Sequence, residues 1–238
     1  LVADAKIHHL DYGNYQVGNM TATADIHDGR INATVVGDNE LLNGTLGVDA
    51  LMNKDKLNGT ITADMSQLDL YHLRLVDNPM TIGLCGHVDV TSDMKKNHYV
   101  SGFISDLTIR DSSKTYRPED IGILINLRPD TTYARIQSGD FIVKVDASGD
   151  YERIMNQLTT LGDSAMAQYD KRIIDQQALR QLLPVMKLHV ESRKNNPIAD
   201  FLKSGQNVEF QELFFDMSTS PETGVNGNGY VHSLVYDG

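Results

Sequence analysis

Eight histidines, His8, His9, His27, His72, His87, His98, His189 and His232, are the side chains best suited to proton transfer or metal binding in this chain. Their spacing builds neither. There is no His-Glu-x-x-His run and no Cys/His pair at ligand spacing, so they read as ordinary surface histidines. Carboxylates gather in turns, Asp25 with Asp28 and Asp38 with Glu40, without the spacing of an EF-hand, and solvated turns account for them. Ser164 sits in Gly162-Asp163-Ser164-Ala165, which lacks the Gly-x-Ser-x-Gly elbow. The run Gly224-Val225-Asn226-Gly227-Asn228-Gly229 leads into a strand rather than a helix, so it reads as a mobile turn and not a phosphate cradle. Asp49, Asp64 and Asp89 share one phase of the chain. A carbohydrate-handling enzyme would need such carboxylates to converge, but no aromatic platform lies near them in sequence. Sequons at Asn19, Asn32, Asn43 and Asn58 follow from Asn and Thr alternating on a watered strand face. No catalytic residue, metal ligand or cofactor site is expected.

The elements that carry these residues announce themselves by alternation. Leu42, Gly44, Leu46, Val48 and Ala50 fall in one phase against Asn43, Thr45, Gly47 and Asp49. The pattern restarts with Leu57, Gly59, Ile61, Ala63 and Met65. It is cleanest in Met80, Ile82, Leu84, Gly86, Val88 and Val90. Successive strand side chains point to opposite faces, so these runs predict antiparallel strands with one apolar and one watered surface.

Earlier in the chain Met20, Ala22, Ala24 and Ile26 lead into His27-Asp28-Gly29, a strong hairpin signal, and Ile31, Ala33 and Val35 continue the apolar face. A strand from Leu68 changes phase between Leu70 and Leu73, which predicts a bulge near Tyr71 and His72. Later strands are expected around Phe103, Leu107 and Ile109, over 121–127, and over 141–147. At Asp150 the period turns helical. Tyr151, Ile154, Met155, Leu158 and Leu161 recur on one side, with Asp150 as N-cap and Gly162 as the stop; a second helix runs from Met166 to Leu183, ended or kinked by Pro184. A short strand over 185–190, a brief helix over 197–203 before Gly205, and strands over 208–217 and 230–236 follow. Leu124 and Ile142, apolar on nominally polar faces, are candidates for what the helices cover. The expected organisation is β strands over 1–149, a helical insert over 150–184, and a short helix with returning strands over 185–238.

A formal charge of −11 argues against a nucleic-acid or anionic-membrane surface, which needs basic stripes. Cys85 alone permits no internal disulfide. No apolar run approaches the roughly 18 to 20 residues of a membrane helix. The chain starts at Leu1 without a leader and reads as an excerpt of a longer protein. Trp is absent, and the apolar phases favour Gly, Ala, Val, Ile, Leu and Met over aromatics, a lining rather than a wedge-filled core.

The strand texture Leu-x-Gly-x-Ile/Leu-x-x-Asp from Leu42 to Ala147 resembles a bacterial TamB-type protein of the AsmA-like superfamily. So do the closing segments Asn196-Pro197-Ile198 to Phe201-Leu202, Thr219-Ser220-Pro221-Glu222-Thr223-Gly224 and Asn226-Gly227. The helical stretch and the Ser-Pro-Glu turn are similar to Bacteroidota versions. The resemblance implies a mainly β fold, an antiparallel meander curled into an open, taco-like half-pipe. It also implies a periplasmic protein anchored in the inner membrane by a segment outside this sequence. Phospholipid acyl chains would be its cargo and an outer-membrane β-barrel of the TamA/BamA type its partner, with no enzymatic activity. The expected groove lining is Leu42, Leu46, Val48, Leu57, Ile61, Ile82, Leu84, Val88, Phe103, Leu107, Ile123, Ile125, Phe141 and Val143. The alternative is a module that pairs its edge strands with unfolded outer-membrane protein strands.

Overall fold

The computed structural model of the chain describes residues 2–8, 10–12, 15–112, 114–194, 196, 199 and 208–236. The fold is mainly β, antiparallel, and not closed into a barrel. It divides into two compact units. One takes in the chain up to Lys95 together with Tyr99–Gly122; the other comprises Lys96–His98 and the chain from Ile123 onward.

The first unit contains β1 (Val2–Ile7), a small hairpin of β2 (Leu10–Tyr12) and β3 (Tyr15–Val17), β4 (Met20–His27), β5 (Arg30–Asp38), β6 (Leu42–Asn53), β7 (Lys56–Asp69), β8 (Met80–Ser92), β9 (His98–Asp111) and the short β10 (Thr115–Tyr116). Its strands pair in the order β1-β4-β5-β6-β7-β8-β9, with β10 on β9. The β4–β5 hairpin closes through Asp28 at φ 49° and Gly29 at φ 77°, the two left-handed residues of a primed turn. The phase change expected near Tyr71 and His72 lies earlier. β7 runs unbroken to Asp69, and its register on β8 shifts between Met65 and Leu68, so Ser66 is the extra residue. Beyond it the backbone turns instead of continuing as a strand. The Asp69 carboxylate accepts from the His72 N–H at 3.0 Å and its carbonyl from Leu73, while Arg74 adopts φ 58°.

The second unit contains β11 (Ile121–Leu127), β12 (Thr131–Ser138), β13 (Phe141–Ser148), α1 (Tyr151–Asp170), α2 (Gln176–Gln181), β14 (Met186–Ser192), β15 (Val208–Glu209), β16 (Glu212–Ser220), β17 (Gly224–His232) and β18 (Val235–Tyr236). Pairing follows β11-β12-β13-β14-β16-β17, and β15 joins β18 separately. Because β13 pairs directly with β14, both helices lie in the connection between two neighbouring strands. Apart from Ala199, the helix expected over 197–203 lies outside the described residues, as does Gly205.

Three local readings need correction. β12 had no expected counterpart, because Ala134 and Ile136 alone give it little apolar alternation. The glycine-rich run from Gly224 is the strand β17 rather than a turn, paired along its length with β16. A side chain at Gly227 would lie 2.5 Å from the Asp216 carbonyl oxygen, and one at Gly229 would meet Phe215 at 2.9 Å, so the glycines serve close strand approach. Gly162 does not stop the first helix. Its cost against alanine is about 1 kcal/mol, too little to end a helix well capped at Asp150. A Cβ there meets nothing within 4 Å, so Gly162→Ala is expected to stabilise α1 by about 0.5–1 kcal/mol, read as a higher thermal midpoint.

Asp150 caps α1 by accepting from the Arg153 N–H at 2.9 Å, and Lys96 reaches its other oxygen at 3.1 Å. The backbone bond first, and the ammonium second, hold its carboxyl below the ordinary value of 3.8. A depressed carboxylate contributes stability that is complete above that ordinary value and is lost as pH falls through the lower folded one. Acid titration of the helical circular dichroism should therefore show a step below the ordinary Asp range. In Asp150→Asn, which keeps an acceptor but cannot ionise, that step should be missing.

Candidate functional site

Register places the apolar side chains of the first unit in rows that run across the strands. One row is Ala3, Ala24, Ala33, Val48, Ile61 and Val88; the next is Ala5, Ala22, Val35, Leu46, Ala63 and Gly86. Leu42, Leu68 and Ile82 form a row beyond the bulge, because the extra residue on β7 returns Leu68 to the apolar side. Leu84 pairs across Met65, and Leu57 lies opposite Met52 on the same face. Of the expected lining, Leu42, Leu46, Val48, Leu57, Ile61, Ile82, Leu84 and Val88 thus share one surface.

Phe103 does not join them. A side chain at Gly102 would touch Val88 at 3.0 Å, and one at Gly86 would approach Ile104, so Val88, Gly102 and Ile104 share the apolar face and Phe103 points the other way, half exposed. Asp106 at φ 53° interrupts the alternation between Phe103 and Leu107. Counting by twos across it assigned Phe103 the wrong side. Leu107, Ile123 and Ile125 are half-buried.

In the second unit Phe141 and Val143 belong to a similar face. Its rows are Thr132, Ala147, Met186 and Thr219; then Ala134, Val145, Leu188 and Met217; then Ile136, Val143, Val190 and Phe215. Thr132 and Thr219 bond backbone at the roots of the helical connection, so that connection leaves the sheet on the apolar side. Ile142 pairs across Glu191 on the opposite face and is not what the helices cover.

These faces are only thinly covered. Leu41, Ala50, Met65, Ala147, Ile154, Leu183, Pro184 and Phe210 are the buried large or aliphatic side chains among the described residues. Leu46 remains 37% exposed and Ile61 41%, in the middle of their rows.

The watered faces are laced by cross-strand polar pairs. Asn32 donates to Asp49 at 3.1 Å, Thr60 to Asp89 at 2.7 Å, and Cys85 contacts Asp64 at 3.5 Å. The Thr60 hydroxyl, with His87, holds the Asp89 carboxyl below its usual range. A glycosidase acid needs the opposite shift. Burial and the neighbouring Asp64 push the Cys85 thiol up, away from the reactive thiolate. Among the described residues no set of His, Cys, Asp and Glu side chains could hold a metal ion.

One polar cluster in the second unit carries no signal in the spacing of its residues. His189 meets the Asp216 carboxylate at 2.8 Å and stands edge-on to Phe214, which stacks on Tyr230; Arg193 lies 3.4 Å from Glu191 and 3.6 Å from Glu212. Burial first, then Glu212, raises the Tyr230 phenol. These partners come from three strands, so only register could have joined them. Beside them Tyr133, Lys144, Lys187 and Asn228, with Leu188 and Met217, line an open hollow of about 570 Å³. The hollow holds no nucleophile bonded to a base. None of the known protein families, curated proteins or solved structures compared with the chain matches it.

Proposed function

We propose that this chain is a periplasmic segment of a bridge between inner and outer membranes, and that its apolar sheet faces conduct phospholipid. The observation that carries the reading is the set of apolar rows, continuous from strand to strand and only partly covered, with Leu46 and Ile61 exposed in their middle. Strands curled into an open half-pipe would turn those rows into a trough. A trough of this kind offsets the desolvation of an acyl chain at about 0.8 kcal/mol per CH₂, and the laced polar face keeps the outside in water. Such passage needs no catalyst. An outer-membrane β-barrel of the TamA/BamA type would receive the lipid, and an inner-membrane anchor would lie outside this sequence. The resemblance to TamB-type proteins agrees with this arrangement.

Native mass spectrometry of the protein purified from a bacterial host, with solvent extraction of the same sample, tests the reading. Phospholipid bound to the folded protein and released by solvent is the expected result. A lipid-free mass would sink it. A second reading, pairing with unfolded outer-membrane protein strands, is favoured by β17, which has one partner among the described residues and exposes Val225, Tyr230 and Val231. On that reading β-strand peptides bind whether or not lipid does.

A further inference from the structure

We infer that α1 is a hinged lid, whose apolar stripe closes over the apolar face of the sheet from which it springs, formed by β12, β13, β14 and β16. The inference rests on the conduit reading for the lid's purpose.

At about 100° per residue, Tyr151, Met155, Leu158, Met166 and Tyr169 fall on one side of α1, with Arg153, Asn156, Thr160 and Asp163 opposite. The stripe is open to solvent, with Met166 62% and Tyr169 70% exposed. What cover the helix has lies elsewhere, because the half-buried Gln157, Leu161, Ser164 and Gln168 mark a side about a third of a turn away. As it stands, α1 leaves most of its apolar surface unused.

The roots of the helical connection say which surface it is built for. The Thr132 hydroxyl donates to the Gly149 carbonyl at 3.0 Å, and the Thr219 hydroxyl to the Pro184 carbonyl at 2.6 Å. Both threonines belong to the end row that includes Ala147 and Met186, on the apolar side. The connection is therefore tied down at both ends over one end of that face, where Ile154 and Leu183 are buried. Gly149, where the chain leaves β13 for α1, holds φ 119°, a backbone conformation that other residues rarely adopt, with its N–H bonded to the Asp130 carbonyl at 2.7 Å. The lengths agree as well. From Ile154 to Tyr169 the helix spans about 22 Å, and from Ala147 to Phe141 the strand spans about 20 Å. Laid along the strands, the stripe covers the rows containing Val145, Leu188, Val143 and Val190, none of which brings a charge to that face.

Crosslinking tests this directly. In a Cys85→Ser background, Met166→Cys is combined with Val190→Cys on the apolar face or, as control, with His189→Cys on the opposite face, and each is treated with a short bis-maleimide. The Val190 pair is expected to link within one chain at least fivefold more than the control, and the linked protein to take up at least fivefold less phospholipid from vesicles. Equal linking in the two pairs, or links only between chains, would overturn the lid. Efficient intrachain linking in a protein that binds no phospholipid at all would keep the lid and sink the conduit.

Discussion

On the proposed conduit reading, Ile61→Asp is expected to remove at least about nine-tenths of any phospholipid that co-purifies with the protein while leaving its melting temperature within a few degrees of the parent. The two halves of that expectation have separate causes. Ile61 stands 41% exposed in the free protein, so a carboxylate there can still reach water, and substitutions at exposed positions usually shift stability little. Once an acyl chain covers the row of Val48, Ile61 and Val88, the same carboxylate is desolvated without a partner, a penalty of several kcal/mol. Thr62→Asp provides the control. Thr62 is the next residue along β7 and lies opposite His87 on the watered face, so it adds an equal charge on the other side of the sheet. Equal lipid content in the two variants would mean that the apolar face is not where lipid sits.

Gly44→Val should be the most damaging single change in the first unit, costing at least about 3 kcal/mol in urea unfolding or preventing folding outright. Gly44 holds φ 141° at the point where the β6–β7 register shifts, and a Cβ there would lie 2.2 Å from the Asp64 carbonyl oxygen and 2.6 Å from the Met65 Cα. Both contacts are backbone, so no side chain can swing aside. Gly122→Ala, where an added Cβ meets nothing within 4 Å, should change stability by no more than about 0.5 kcal/mol. If Gly44→Val unfolded at the parent's urea midpoint, the register shift would not depend on this glycine.

Most strands were legible because alternation needs only the chain's own period of two. Ile82 to Val90 and Leu42 to Ala50 declare their face without reference to any neighbour. What could not be read was any feature set by a partner strand. Phe103 is misassigned because one residue, Asp106, takes a left-handed backbone that composition does not mark. Ser66 is an extra residue only relative to β6 and β8. β17 looked like a turn because its glycines answer to the crowding of Phe215 and the Asp216 carbonyl, which belong to β16. The helix stop at Gly162 failed for a different reason, a weak local preference overruled by a long amphipathic helix with a strong cap. The cluster around His189 was invisible for the same reason as the bulges: Asp216 is remote in sequence and adjacent only through pairing.

The order of pairing has a consequence for how the molecule is made. From β4 to β8 each strand joins the one synthesised just before it, so contacts are local and every new strand can add to an edge already in place. Such sequential growth keeps loop-closure entropy small and favours fast assembly. The join of β13 to β14 breaks the rule, because the whole helical connection from Gly149 to Val185 must be bridged first, and the join of β14 to β16 spans a further long connection. A chain emerging from its amino end would therefore zip quickly through its first strands and pause at β13. During that pause β13 is the exposed growing edge, and the time spent there, set by how soon α1 and α2 form and let β14 arrive, is the step on which folding in the cell would turn.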